Sequence, residues 1–480
     1  MKKKITLSQG SVLLIVLCFL IGVLFYAIAH DQMNRKINMD TEIVPESNVG
    51  EIIVGTVVEQ AFQAKGEVLH SFTLYFQAYG RPNTGTLSLS LLDGDTEIYS
   101  TTLDLATVQQ DGNLTFFPEL TDLSGDSLVL CVTSPDCQPG NAVTLACGTG
   151  ISAGRGTVTV SSGDTLKVNG EMKESRLCMT TVTEQSLWFG QYYWYFLLGA
   201  LAVLMAYLLW LNRCAKKGRS CFGLRFLNAM HRYHFLIQQL VDRDFKTKYK
   251  RSVLGVFWSF LNPLLTMLVQ YVVFSTLFKT DILNYPAYLL IGIVCFSYFS
   301  ETVSQCMMSI VGNAPLITKV YVPKYIYPLS KSLSSGINLL LSLIPLLGVL
   351  LLTGLWPKPA FLLLPFGLIC LYQVSLGLGM ILASLMVFFR DTQFLWGVVS
   401  MLWMYGTPIF YPESIIPSSL MGLYKMNPLY HVIRFCRSVL IDGISPEPKA
   451  YLLCFLACAV PLALGLWVFK RQQDKFILYI

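Results

Sequence analysis

Residues that could carry out covalent or acid–base chemistry are sparse in this chain. It holds 13 cysteines and 5 histidines in 480 residues. No C-x-x-C pair and no group of cysteines and histidines has the spacing of a metal-ligand set, so the sequence predicts no metal site. The histidines, aspartates and glutamates do not gather into an acid–base constellation. We therefore predict no catalytic residues and no enzymatic activity.

The cysteines fall in two different settings. Cys131, Cys137, Cys147 and Cys178 lie in a polar region, whereas the others lie in or near apolar runs. Cysteine in an apolar run is most often a small apolar filler. If the polar region is extracellular, its four cysteines could form one or two disulfides, and three pairings are open.

Two further chemistries are missing from the sequence. No stretch reads G-x-x-x-x-G-K-[ST], so the chain cannot hold ATP phosphates in a P-loop, and we expect it to bind no cofactor itself. The net charge of +6 is modest. No basic stripe with interleaved aromatic residues occurs in the polar region, so nucleic acid is not expected as a partner.

The composition indicates which elements must position these residues. The chain is 54% hydrophobic and 13% charged, with a mean hydropathy of +0.54, whereas soluble proteins carry about 25% charged residues. Apolar runs long enough to cross a membrane recur along it. We predict an α-helical polytopic membrane protein with about eight transmembrane helices, at residues 11–29, 192–211, 258–278, 285–304, 333–353, 361–388, 394–411 and 451–469.

Cations at the ends of these runs indicate the orientation. Lys2 to Lys4 precede the first run, which we interpret as a retained anchor rather than a cleaved signal peptide. The segment between Arg213 and Arg251 is also rich in Lys and Arg, whereas the short loop around Asp281 is nearly free of them. The positive-inside rule then places both termini in the cytoplasm and residues 31–186 outside. Residues 412–450 are predicted to lie outside and to fold partly back into the bilayer.

The polar region has the pattern of a β domain. Apolar and polar residues alternate in short runs between residues 51 and 182, separated by turn signals such as Asp93-Gly94. Such runs predict an antiparallel sandwich or jelly roll. The stretch from Tyr75 to Asn83 looks like the jelly-roll domains attached to bacterial polysaccharide-handling membrane proteins. Tyr75, Tyr79 and Arg81 are therefore a candidate glycan site, and the alternative is that they are core or turn residues. Because their spacing is even, a regular strand would place both tyrosines on one face.

A cationic amphipathic helix is predicted before the third apolar run. Apolar residues recur with helical period between residues 233 and 249. Asp244 and Lys248 are four residues apart, so they could pair with each other. We expect this helix, with Arg243, Asp244, Lys248 and Tyr249, to lie in the cytoplasmic membrane interface. The alternative is an ordinary packed cytoplasmic helix.

The C-terminal half resembles a known family. In order along the chain, its motif residues are Arg243-Asp244, Lys248-Tyr249, Ser252-x-Leu-Gly-x-x-Trp258, Pro263, Asn313-x-x-Leu-Ile-x-Lys319, Pro323, Arg390-Asp391, Pro408-Ile409 and Asn427-Pro428. This ordered set resembles the type-2 ABC exporter permeases that move O-antigen, teichoic acid and capsular polysaccharide. A simple member of that family would begin near residue 220, so the first span, the β domain and the second span are additions.

The resemblance implies how the chain works. It implies a homodimeric permease bound to two copies of a separate ATPase subunit, which holds the ATP and Mg. Coupling to that subunit would use the loop with Asn313, Leu316, Ile317, Lys319, Pro323 and Lys324. The cargo would be a lipid-linked polysaccharide. Aromatic residues that could line its path are Trp258, Phe296, Tyr298, Phe299, Trp403 and Tyr405.

The sequence leaves alternatives for the function. An exporter of another cargo, such as a drug or a lipid, or a membrane glycan sensor would share much of this pattern. The domain boundaries that we predict are 1–30 for the anchor, 31–186 for the β domain, 187–212 for a second transmembrane helix, 213–257 for the interface segment and 258–480 for a six-helix permease core. Glu301 is an intramembrane carboxylate in this scheme, and such a group is a functional candidate. The alternative is that it lies near the cytoplasmic end of its span and reaches the membrane interface.

Overall fold

The computed structural model describes residues 7–39, 43, 45–108, 110–123, 127–153, 156–159, 165–217, 221–249, 253–278, 284–320, 322–417 and 419–479. The motif residue Ser252 and the orientation markers Lys2 to Lys4, Arg251 and Asp281 lie outside the described residues. The chain forms two compact units, one of residues 1–32 with 192–480 and one of Met33–Gln191.

Long apolar helices dominate the first unit. Among the described residues, seven helices are long and apolar enough to cross a membrane. This confirms a helical polytopic membrane protein. The helices are α1 Leu7–Asn34, α2 Trp188–Lys216, α3 Phe222–Tyr249, α4 Trp258–Phe278, α5 Tyr285–Met307, α6 Ala314–Ile317, α7 Ile326–Leu352, α8 Leu364–Phe388, α9 Thr392–Tyr405, α10 Met421–Met426, α11 Pro428–Arg437, α12 Pro448–Gln472 and α13 Phe476–Tyr479.

The predicted span at residues 394–411 is shorter in the structure. Helix α9 has 14 residues, which at 1.5 Å per residue is about 21 Å. A hydrocarbon core is about 30 Å thick, so α9 alone does not cross it. Pro408 explains the early end, because proline disfavours helical geometry at the preceding residue, Thr407.

Two glycines let α8 and α12 approach each other closely. A Cβ atom added to Gly377 would lie 2.5 Å from the backbone of Leu462, and one added to Gly465 would lie 2.2 Å from the carbonyl oxygen of Gly377. Small residues at such crossings allow the close backbone packing that replaces hydrophobic driving force in a membrane.

Gly377→Ala is therefore expected to destabilise the helix bundle. The added methyl group meets backbone, which cannot move aside as a side chain can, and overpacking of this kind costs about 1–3 kcal/mol. Thermal unfolding of the detergent-purified chain measures the effect. Gly348→Ala on α7 is the control, since nothing lies within 4 Å of a Cβ there, and it should leave the melting temperature unchanged or raised. Equal melting temperatures for the two variants would contradict the prediction.

The second unit is an antiparallel β domain of two main sheets. The larger sheet has the strand order β1-β15-β4-β9-β14, with β2 paired to β9 and β7 paired to β4, and the other has the order β13-β12-β3-β8-β5-β6. The strands are β1 Arg35–Met39, β2 Ser47–Asn48, β3 Val57–Gln63, β4 Val68–Gln77, β5 Thr86–Asp93, β6 Thr96–Asp104, β7 Gly112–Phe116, β8 Ser127–Thr133, β9 Thr144–Gly148, β10 Gly150–Ala153, β11 Gly156–Thr159, β12 Leu166–Val168, β13 Glu171–Lys173, β14 Arg176–Leu177 and β15 Met179–Ser186.

Alternating side chains from both sheets build the core of this domain. Phe72, Leu74 and Phe76 of β4 are fully buried in the same cluster as Leu89 of β5 and Leu130 of β8. Because side chains alternate along a strand, one apolar face of each sheet is enough to form this core. The predicted two-sheet antiparallel domain is confirmed.

The disulfides that the sequence allowed are not formed among the four cysteines of this domain. Cys131 occupies a half-buried position of β8, between the core residues Leu130 and Val132. Its side chain therefore points to the face opposite the core. Cys137 and Cys147 instead belong to the buried core cluster, where they pack as small apolar residues.

Candidate functional site

Helix α3 is the element around which the candidate site is built. The predicted helix at residues 233–249 is present, and the structure extends it back to Phe222. Ile237 and Leu240 are the most buried of its described side chains. They pack in one cluster with Ile317, beyond α5, and Tyr327 at the start of α7. The apolar stripe of α3 is thus covered by protein.

An ion-pair chain joins α3 to the loop after α5 and to α7. Arg243 donates from Nη2 to Asn313 Oδ1 at 3.1 Å and to Asp244 Oδ1 at 3.0 Å. The Nζ atom of Lys331 lies 3.0 Å from Asp244 Oδ2. The side chains of Asp244 and Lys331 are only 13% and 18% exposed, so this pair is shielded from the solvent screening that weakens surface pairs.

The predicted pairing of Asp244 with Lys248 is wrong. Each residue has a tertiary partner instead, because α3 lies against other helices and is not an isolated surface helix. Lys248 Nζ donates to Glu301 Oε1 of α5 at 2.7 Å, and Asn338 Nδ2 of α7 donates to the same oxygen at 3.0 Å. Glu301 therefore has protein partners on two helices.

The predicted coupling residues divide into anchors and an exposed tip. Asn313 and Ile317 are buried, and Leu316 and Pro323 are half-buried. Lys319 is exposed. A helical turn formed by α6 carries this tip, so an outside partner could reach the lysine without unfolding the loop.

Lys324 differs from Lys319 although both were predicted to contact the same partner. Its Nζ atom donates to the carbonyl oxygen of Gln473 and lies 6.0 Å from the ring centre of Phe476. It therefore fastens the loop to the C-terminal segment of the chain.

A polar cleft lies between α3, α4, α5 and α7. Its volume is about 240 Å³, and Lys248, Tyr249, Trp258 and Glu301 are among the residues that line it. The hydroxyl group of Tyr249 forms a hydrogen bond with the hydroxyl group of Ser259 and also donates to Asn338 Oδ1 at 2.9 Å.

The predicted path residues take different positions. Phe296, Tyr298 and Phe299 are buried within the protein, at 8%, 4% and 0% exposure. Trp258 and Tyr298 contribute to the cleft, and Tyr405 is 55% exposed.

Trp403 holds the C-terminal end of α9 against α11. Its indole nitrogen donates to Asn427 Oδ1 at 2.9 Å, and Asn427 Nδ2 in turn donates to Thr407 Oγ1 at 2.9 Å. Asn427 also caps α11 by accepting from the amide of Leu429. These contacts give Trp403 a packing role in this structure, and its place on a cargo path stays a prediction.

Arg437 is a buried residue whose structural role the sequence did not reveal. It donates to the carbonyl oxygens of Pro408 at 2.8 Å and Ile409 at 3.0 Å. Its guanidinium carbon lies 3.3 Å from the ring centre of Tyr288. The residue is 8% exposed. The available signal was an arginine flanked by apolar residues, Phe435, Cys436, Val439 and Leu440, and such a residue requires compensating partners when it is buried.

The candidate glycan residues of the β domain are not on one regular strand. Strand β4 ends at Gln77, so Tyr79 lies beyond the strand, and its φ is 57°. The even spacing of Tyr75 and Tyr79 therefore does not place their side chains on one face. Tyr75 is half-buried against Ile43 and Cys178, whereas Tyr79 is 45% exposed.

Arg81 mainly holds loops together. It pairs with Glu51 and lies 5.1 Å from the ring centre of Tyr79. Glu51 also accepts from the amide of Gly140 at 2.8 Å. The amide of Gly140 and the side chain of Arg81 together lower the pKa of Glu51, because both stabilise the carboxylate.

His70 lies between two carboxylates of the β domain. Its Nε2 lies 2.8 Å from Glu184 Oε2 and its Nδ1 lies 3.0 Å from Glu119 Oε2. Only the imidazolium can donate to both carboxylates. Hydrogen bonds to Glu184 and Glu119 raise the pKa of His70 above 6.5. A raised pKa contributes stability that is complete below pH 6.5 and is lost as the pH rises through the folded-state pKa.

His70→Gln is expected to lower the melting temperature of the full chain at pH 5.5 more than at pH 8.5. The reason is that only the protonated ring provides the extra stability. Thermal unfolding of both proteins across this pH range measures it. The exposed His234 on α3 supplies the control variant, His234→Gln. A difference between wild type and His70→Gln that does not shrink at high pH would refute the role.

Comparisons with known proteins identify relatives of the C-terminal half of the chain. Residues 235–441 match the ABC-2 type transporter family. The chain is 29% identical over 256 residues to the O-antigen export system permease protein RfbA of Myxococcus xanthus, covering 53% of this chain and 98% of that protein. It is 25% identical over 254 residues to the capsule polysaccharide export inner-membrane protein CtrC of Neisseria meningitidis serogroup A, covering 51% of this chain and 94% of that protein. The polysialic acid transport protein KpsM of Escherichia coli is 21% identical over 244 residues, covering 50% of this chain and 95% of KpsM.

Proposed function

Because this chain is an ABC-2 type transporter permease related to the O-antigen and capsule export permeases, we propose that it moves a lipid-linked cell-surface polysaccharide or teichoic-acid-like polymer across the cytoplasmic membrane. The observation that carries this proposal is the alignment over 98% of the length of an O-antigen export permease. Two chains form the permease, and two copies of a separate ATPase subunit bind the ATP and Mg that power it.

Force from the ATPase enters through the loop after α5. The exposed Lys319 stands at its tip, and Asn313 lies at its base. Because Arg243 binds Asn313, and Asp244 pairs with Lys331, a push on the loop reaches α3 and α7 together. The Asp244–Lys331 contact is largely shielded from water, and such a contact transmits a displacement better than a flexible loop, since breaking it leaves a poorly solvated charge uncompensated.

The distribution of cations supports the proposed orientation. The coupling loop and both termini lie in the cytoplasm, and residues 31–186 lie outside the cell. The β domain is then on the side where the polymer emerges. Tyr79, the exposed member of the predicted glycan set, is the residue that would contact it.

Reconstitution tests the function directly. We expect proteoliposomes containing this chain and its ATPase to translocate lipid-linked polysaccharide only when ATP is present. Loss of surface polysaccharide after deletion of the gene would support the same conclusion in cells. Unchanged surface polysaccharide in that strain, or transport without nucleotide, would refute it. Movement of a drug or lipid in place of the polymer would favour another cargo, and absence of any movement would favour a sensor.

Lys319→Glu is expected to reduce recovery of the ATPase subunit with the purified permease. The reversal places an acidic group at the exposed tip, where an attractive contact becomes repulsive, and rim charges mainly alter association rates. Quantitative co-purification measures the effect at two salt concentrations. Lys470→Glu at the end of α12 is the control, since it is also exposed but lies outside the loop. Equal recovery with both variants would exclude the tip as a contact.

A further inference from the structure

The cleft between α3, α4, α5 and α7 has the composition of a sugar-binding site. Trp258 provides an aromatic surface that is 44% exposed. Asn262 and Ser297 also line the cleft, and both are exposed. Binding sites of this kind combine an apolar surface with a few placed polar groups.

The charges of the described lining residues balance each other. Among the residues that the structure describes, Lys248 and Glu301 are the charged ones that line the cleft, and they pair with each other at 2.7 Å. An anionic ligand would be attracted by the lysine but repelled by the carboxylate beside it. A cationic ligand would be attracted by the carboxylate but repelled by the lysine. A neutral ligand incurs neither penalty, so the charge arrangement selects against ions.

Polar groups of the cleft remain available to a ligand. Within the part of the chain that the structure describes, the amide of Asn262 and the hydroxyl of Ser297 have no hydrogen-bond partner. An asparagine amide offers two donors and an acceptor, and a hydroxyl offers both functions. Neighbouring hydroxyl groups of a pyranose match this set, and its C–H face suits the flat indole of Trp258.

We propose that this cleft binds one neutral sugar unit of the exported polymer. The inference rests on the proposed function, because that function supplies a carbohydrate cargo. A sugar in the cleft contacts α4 and α5 next to the Lys248–Glu301 pair, so occupancy is sensed by the same helix, α3, that is joined to the coupling loop.

Saturation-transfer NMR tests the site with defined probes. The full-length permease, in nanodiscs with its ATPase subunit, is mixed separately with the methyl pyranosides of glucose, galactose, mannose and rhamnose, and with inorganic phosphate. We expect saturation transfer to at least one glycoside. We expect that phosphate does not change this transfer. Asn262→Leu should weaken the apparent affinity about fivefold, the change expected for one lost hydrogen bond. Trp258→Leu is a second variant that removes the stacking surface.

Leu268→Ala is the matched control, because Leu268 is exposed on the same helix but does not line the cleft. Absence of transfer to all four glycosides, or a signal that neither cleft variant weakens, would overturn the assignment, and the latter would place the sugar elsewhere, such as in the β domain. Inhibition of glycoside binding by phosphate would also overturn it. Polymer export by the wild type separates the two claims: if export is normal but the cleft binds no sugar, only the cleft assignment fails.

Discussion

Arg437→Gln is expected to unfold the region around α9 and α11 and to remove most of the permease from the membrane. The guanidinium binds the Pro408 and Ile409 carbonyl oxygens in a buried setting. Hydrogen bonds from a charged donor contribute about 1.5–3 kcal/mol each. A shorter, neutral amide cannot reach both carbonyls and also leaves the ring of Tyr288. Melting temperature and the monodisperse fraction in size-exclusion chromatography measure the loss.

The neighbouring Arg434 provides the control for this experiment. It lies one turn earlier on the same helix, its side chain is 60% exposed, and its Nε atom is 3.9 Å from Glu413. Arg434→Gln should therefore lower stability by well under about 1 kcal/mol. Arg437→Lys should be nearly as damaging as Arg437→Gln, because an ammonium lacks the planar fork. If Arg437→Gln and Arg434→Gln have the same melting temperature, the clamp is not important for stability.

Asp244→Asn is expected to reduce polymer export at least about tenfold while the chain stays folded. The substitution keeps the shape of the side chain but removes the negative charge that faces Lys331 and Arg243. Losing a shielded charged partner costs about 1.5–3 kcal/mol, and 1.4 kcal/mol is a factor of ten. Export rate and ATP hydrolysis in proteoliposomes are measured together, and we expect hydrolysis to fall less than export.

Asp242→Asn is the matched control, because Asp242 is exposed on the same helix. The double variant Asp244→Lys with Lys331→Asp should recover part of the export, since it restores opposite charges at the contact. Wild-type export by Asp244→Asn would show that the contact transmits nothing. Failure of the double variant alone would indicate that Arg243 also requires the carboxylate at position 244.

Local sequence patterns predicted the elements more reliably than their contacts. The apolar stripe of α3 follows from the helical period of 3.6 residues, and the alternation in β4 follows from the strand period of 2 residues. These periods are local and do not depend on distant parts of the chain. The partners of Asp244 and Lys248 could not be predicted in this way. Lys331 and Glu301 are distant in sequence, and the nearby i,i+4 spacing offered a competing explanation.

Turn chemistry accounts for two of the differences. Strand β4 ends at Gln77 because Tyr79 adopts a positive φ and Gly80 follows it. The two-residue period of a strand therefore ends before Tyr79, and the predicted common face of the two tyrosines is lost. Pro408 was visible as a helix breaker, yet the apolar composition beyond it extended the predicted span. The role of Arg437 depends on carbonyl oxygens almost thirty positions earlier, and backbone groups leave no mark in a sequence.

The shortness of α9 has a consequence for the cargo. A helix of about 21 Å that starts at one membrane surface stops before the opposite one. The backbone beyond it is held by protein groups, including the hydroxyl of Tyr285 on the carbonyl of Phe410, rather than by lipid. We expect water to enter from the far side to the depth where α9 ends. For a polymer that passes beside α9, we expect each sugar ring to lose its hydration over a distance shorter than the bilayer thickness, which would lower the free-energy barrier for every repeat.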